Sequence, residues 1–157
     1  MARRHGRCVR GQRLRVGTPH GHWKTTTFVA GLTTRGMIAP FVLDGPINRH
    51  AFETYVEKVL VAELRPGDIV IMDNLSSHKG PRVRETIEAA RARLLYLPPY
   101  SPDFNPIENA FAKLKAHLRK AAKRTVEGLW ATIGRIVDLF TPVECANYFA
   151  AAGYDAT

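Results

Sequence analysis

The stretch that most constrains this chain is Asp68-Ile69-Val70-Ile71-Met72, closed by Asp73 and Asn74. A run this continuous in apolar residues, with no alternation, is the pattern of a strand covered on both faces. Such strands belong to α/β folds, where helices pack on either side of a partly parallel sheet. The flanking segments agree. Arg65-Pro66-Gly67 ends whatever precedes the run. A helix over residues 81–90 is expected to follow, with Ser76 or Ser77 as its cap and Val83 and Ile87 facing inward. Residues 93–97 read as a further strand.

Upstream, residues 22–32 and 37–43 read as two strands joined by the hairpin turn Thr33-Thr34-Arg35-Gly36. Residues 13–16 are a candidate short strand. Asp44-Gly45-Pro46 breaks the chain, and Asn48 then caps a helix running to about residue 64. Its buried side carries Phe52, Val56, Val59, Leu60 and Leu64. Downstream, Pro98, Pro99, Pro102 and Pro106 stiffen a connection. The helix from Pro106 sets Ile107, Phe111, Leu114 and Leu118 on one face. Two more helices close the chain, one with Leu129, Ile133, Ile136 and Phe140 inward. The other starts at Thr141-Pro142 with Glu144 in capping position. The expectation is one α/β domain over residues 1–157, without repeats or a linker.

The chain has 157 residues, 45% of them hydrophobic, so it can bury a core. No apolar run approaches the roughly 18 residues that span a membrane. The start, MARRHGRCVRGQRLRVG, is basic but lacks the apolar stretch of a secretory signal, and its glycines oppose an amphipathic transit helix. Two cysteines, Cys8 and Cys145, suggest no disulfide framework. These features place the protein in the cytoplasm, with no membrane partner. His5, Cys8, His20 and His22 are too loosely spaced in a Gly/Arg-rich segment to read as a zinc site. Trp23 and Trp130 read as packing residues.

Net charge is +9, unevenly spread. Residues 1–43 hold eight Lys/Arg and no Asp/Glu, whereas residues 44–157 hold 15 basic and 14 acidic side chains. A second basic patch spans Lys113, Lys115, Arg119, Lys120, Lys123 and Arg124, with no acid between Glu108 and Glu127. Such patches favour a polyanion, because phosphate contacts release counterions. A solvated surface is the alternative.

Two acids carry the chemistry. Asp73 ends the buried strand, where open α/β sheets place their ligands; the alternative is that Asp73-Asn74 only starts a turn. Glu108 falls at the third position of a helix behind Asn105 and Pro106, where a glutamate can also serve as an ordinary cap. Brought together, the two carboxylates could hold a pair of divalent cations for phosphoryl transfer. Hard oxygen ligands suit Mg²⁺ or Mn²⁺.

MDNLSSHKG, followed by LPPYSPDFNPIENAFAKLK, resembles the catalytic core of mariner-type DDE transposases, in particular their bacterial insertion-sequence branch. The resemblance runs along essentially the whole chain. It implies a ribonuclease-H-like mixed sheet flanked by helices, and metal-dependent cleavage and joining of DNA ends. It implies catalytic and metal-ligand roles for Asp73 and Glu108 and supporting roles for Asn74 and His78. Lys113, Lys115, Arg119 and Lys120 would contact DNA. DNA is the expected partner at the nucleoid, with an intact transposase or a second copy of the chain as the protein partner.

One departure stands out. The family's first aspartate lies on the first, central strand of the sheet, and the chain starts as if just after that strand. No acid occurs before Asp44, which follows a different strand. The expectation is therefore a truncated catalytic domain, unable to cleave DNA by itself. The competing expectation is a non-catalytic DNA-binding remnant, or an interfering partner of an intact transposase.

Overall fold

The computed structural model describes residues 7–15 and 25–154. β1 (Thr26–Thr33) and β2 (Gly36–Asp44) form an antiparallel hairpin. The two-residue turn Thr34-Arg35 is completed by Gly36 at φ 151°, a backbone setting that glycine adopts without a Cβ clash. Pro40 has no N–H to give to the ladder, and the register breaks opposite it, between Val29 and Gly31. There Ala39 adopts φ 50°, and its carbonyl accepts the buried Tyr55 hydroxyl at 3.0 Å. Burial pushes the Tyr55 phenol pKa well above its ordinary value.

α1 (Arg49–Tyr55) starts where expected, because Asn48 Oδ1 accepts the Ala51 N–H at 2.8 Å. The helix continues as a wide turn over Val56–Leu60 and a tight turn over Val61–Glu63. β3 (Ile69–Met72), α2 (Pro81–Ala89) and β4 (Arg93–Tyr96) follow, and β3 pairs parallel to β4 in register Ile69 to Arg93. α3 (Pro106–Ala121), α4 (Val126–Val137) and α5 (Pro142–Ala151) close the chain.

Two cores hold these elements. In the first, Val56, Val83 and Ile87 are fully buried with Phe52, Tyr55, Leu60 and Leu94. Val29 and Phe41 of the hairpin and Val70 and Met72 of β3 pack on this core. Each fully buried aliphatic side chain contributes about 1.5–3 kcal/mol. In the second, Ala110, Leu114 and Leu118 of α3 meet Ile133 and Ile136 of α4, Phe140, and Cys145 of α5, with Phe28, Leu32, Met37 and Val42 of the hairpin beneath. The hairpin is thus covered on both faces.

The structure differs from the expectations in several places. The mixed sheet is divided: the described strands form two separate two-stranded sheets, one antiparallel and one parallel. No described strand lies between them, so they join through the first core rather than by a ladder. β3 is not covered on both faces, because Ile69 is 51% exposed and Leu95, the β4 partner of Ile71, is 44% exposed. Ser76 and Ser77 do not cap α2; Ser76–His78 forms a separate tight turn, and Gly80 occupies the cap position without a side-chain bond. Residues 13–15 form no strand. Trp130 is 39% exposed rather than packed inside. Val16, Trp23, the start of the expected strand at residues 22–24, and His5, His20 and His22 lie outside the described residues.

Candidate active site

Asp73 sits one residue past β3, at the carboxyl end of the parallel pair, where Leu97 N–H extends the pairing to Met72 O at 2.8 Å. Its Oδ1 accepts the Leu75 N–H at 3.4 Å, so the turn reading of Asp73-Asn74 is partly realised. The same oxygen lies 2.5 Å from His78 Nδ1. This is a close polar contact rather than an aligned hydrogen bond, since His78 Nδ1 is buried without a partner in bonding geometry. Asn74 Oδ1 is likewise buried and unpartnered among the described residues.

His78 is fixed from two further sides. Its ring stacks on Phe52 of α1, with centroids 4.1 Å apart at 23°. Its carbonyl accepts the Tyr96 hydroxyl at 2.8 Å. The tight turn therefore bridges α1 and β4 and aims the imidazole at Asp73.

Glu108 occupies the third position of α3, behind Asn105 and Pro106. The capping alternative is not built. Asn105 makes no side-chain cap bond, and its own N–H goes to Pro102 O at 2.9 Å. The Glu108 residue is exposed, and its carboxylate takes no hydrogen bond or ion pair from the described residues. Asp73 and Glu108, from a strand end and a helix start, line one cleft of about 410 Å³. Asn74, Leu97, Pro99 and Tyr100 form other parts of its wall.

The basic residues divide. Lys113 turns inward: its Nζ donates to Leu139 O at 2.9 Å and Glu144 Oε2 at 2.5 Å, and lies 4.6 Å from the Phe140 ring centroid. Glu144 also accepts the Tyr148 hydroxyl at 2.7 Å. The Lys113 bond, followed by that from Tyr148, holds the Glu144 pKa below its ordinary 4.5. Lys113 is thus a structural pin from α3 to α5, and the expected DNA contact is not how the structure uses it. Lys115, Arg119 and Lys120 stay exposed on α3.

Sequence reasoning did not single out the second cleft. His117, Lys120, Lys123 and Arg135 line about 490 Å³ between the end of α3 and α4. None of the four pairs with a described acid. The signal available was only the acid-free stretch between Glu108 and Glu127; Arg135 joins it through the α3–α4 packing.

The architecture is a ribonuclease-H-like α/β fold carrying a two-carboxylate cleft. The sequence model of the DDE superfamily endonuclease family matches residues 1–129, and the chain belongs to that family. No curated protein matches it in sequence. Among solved structures, it is similar to the strand transfer complex of Mos1, with a TM-score of 0.63 and 20% identity over 99% of this chain and 52% of that one. It is similar also to the Mos1 transposase paired-end complex with left transposon end, with a TM-score of 0.56 and 21% identity over 98% and 52%. A third is the Mos1 mariner paired end complex with Mn, with a TM-score of 0.51 and 21% identity over 97% and 52%. The chain spans about half the length of these proteins.

Proposed function

We propose that this chain carries part of a transposase-type catalytic domain, acting on DNA strands by two-metal phosphoryl transfer. The observation that carries the reading is the shared cleft: two carboxylates with 34 residues between them, from unrelated elements, open onto one space. Asp73 and Glu108 are the proposed catalytic residues and metal ligands.

The residues fit a hard divalent cation. Both acids offer oxygen donors, Glu108 is held by no described partner, and Asn74 brings a buried unpaired carbonyl oxygen beside them. Mg²⁺ or Mn²⁺ bound there would supply Lewis acidity to the attacking and leaving oxygens. The chain's own residues set the geometry. His78, stacked on Phe52 and tied by Tyr96, orients the Asp73 carboxylate. The positive end of α3 places Glu108 where an anion is favoured. Lys115, Arg119 and Lys120 face outward along α3 to neutralise backbone phosphates, which sets register without reading sequence.

Among the described residues no cluster of three or more metal-ligating side chains forms, and the sequence offers no acid before Asp44 as a third carboxylate; both support an incomplete set. We infer that the 157-residue chain binds DNA, alone or beside an intact transposase or a second copy, without cutting it. An added aspartate-bearing strand between the two small sheets would complete the site.

The test is Mg²⁺-dependent nicking of supercoiled plasmid. The expected result is no nicking by this chain and nicking by a version extended with such a strand, abolished by Asp73→Asn or Glu108→Gln. Nicking by the 157-residue chain would contradict the incompleteness. Full nicking by the extended Asp73→Asn form would contradict the site.

A further inference from the structure

Five tyrosines occur in the chain, and four use their hydroxyls inside the protein. Tyr55 bonds Ala39 O, Tyr96 bonds His78 O, Tyr148 bonds Glu144 and Tyr154 bonds Phe104 O. Tyr100 is the exception. It makes no hydrogen bond to the described residues and is 101% exposed. It also adopts φ 57°, a left-handed setting that disfavours residues with a Cβ. Pro98, Pro99 and Pro102 restrict the segment on both sides. A strained backbone therefore presents a large ring to solvent, with no hydrogen bond from it to the described residues to account for the strain.

The place of this ring gives it a use. Tyr100 and Leu75 line the carboxylate cleft, and Leu75 is 54% exposed. Phe104, two residues before the start of α3, is 54% exposed as well. An acid-lined site acting on a phosphodiester needs to hold what flanks that phosphate. The flanking bases are neutral, so nearby carboxylates do not repel them, and every base offers a face to an aromatic ring. A ring at this mouth cannot stack on a base already enclosed in duplex. It can take one that has left the stack.

Building on the function proposed above, we propose that Tyr100 is a base-stacking residue. It takes an unpaired nucleobase next to the phosphate held at the Asp73–Glu108 cleft, so the preferred substrate is a DNA end with an unstacked nucleotide.

The test uses the 157-residue chain and two duplexes, one fully paired and one with a single unpaired 2-aminopurine at its 3′ end. Wild type should bind the unpaired duplex about fivefold or more tightly than the paired one, with quenching of the 2-aminopurine signal. Tyr100→Phe should keep preference and quenching. Tyr100→Ala and Tyr100→Gly should lose both while paired-duplex affinity holds, and Tyr100→Gly should also raise the melting temperature by relieving the backbone. Equal binding of both duplexes, insensitive to Tyr100, would overturn the stacking role and leave the proposed function standing. An equal loss on both duplexes in Tyr100→Ala would overturn it too. No DNA binding at all would overturn both readings.

Discussion

Helix α3 opens onto two unlike clefts. At its N-terminus, Glu108 stands free of any cap and shares a cleft with Asp73. Near its C-terminus, Lys120 and His117 share a cleft with Lys123 and Arg135. The sixteen residues of α3 make a rod about 24 Å long at 1.5 Å per residue. Each charge sign suits its own end of the helix dipole, acid at the start and base at the finish. One rigid element therefore holds an acidic and a basic site at a fixed spacing, and Lys113, in its middle, anchors it to α5. Under the proposed function, the difference separates a place for cations and chemistry from a place for phosphate.

If α3 is the common support, damage to its packing should affect both ends together. Leu114 is 4% exposed in the second core, and Leu114→Ala should lower stability by about 2–4 kcal/mol. Chemical denaturation measures the loss, and both DNA and Mn²⁺ affinity should fall near the shifted midpoint. A stable variant that lost only one function would break the shared-rod picture.

Removing charge should instead separate the two ends. Lys120→Ala, Lys123→Ala and Arg135→Ala combined should reduce the salt slope of DNA binding by about one per side chain, with affinity down about tenfold or more. Mn²⁺ binding should hold. Anisotropy titrations across salt concentrations give the slope, and an unchanged slope would return these residues to a solvated surface.

The central pin should govern stability and not DNA binding. Lys113→Met should cost about 1.5–3 kcal/mol, the range for a hydrogen bond to a charged group, and leave the salt slope unchanged. The pH dependence has a definite sign. Glu144 has a folded pKa lowered below 4.5, first by Lys113. Its contribution is therefore present above that value and is lost as pH falls through the lowered one. Denaturation midpoints between neutral and acid pH should drop more for the wild type than for Glu144→Gln. The smallest effect lies at the end of α3. Ala122 closes the helix at φ 47°, so Ala122→Gly should stabilise by about 0.5–1 kcal/mol.

Much of this was legible in the sequence because it depends on local pattern. The Asn48 cap, the α3 face with Leu114 and Leu118, the inward Val83 and Ile87, and the Thr141 helix start follow from spacing alone. Asp73 and Glu108 were legible as candidates because each sits at an element boundary. What escaped depends on distant partners. Ser76 and Ser77 read as caps, but the Tyr96 hydroxyl, eighteen residues from His78, ties that turn elsewhere. Lys113 read as a DNA contact, because nothing nearby announces Glu144, thirty-one residues on. The apolar run of β3 read as doubly covered, but Val70 and Met72 pack on the first core while Ile69 stays exposed. Composition sets the tendency to be covered, and topology decides whether a cover arrives.

Mn²⁺ binding to the wild-type chain, Asp73→Asn, Glu108→Gln and the double variant, followed by electron paramagnetic resonance, tests the shared cleft most directly. The account predicts that each single change weakens binding by about tenfold or more, and that the double change adds little, because both acids hold the same ions. Single changes that leave Mn²⁺ affinity untouched, or that add independently, would contradict it.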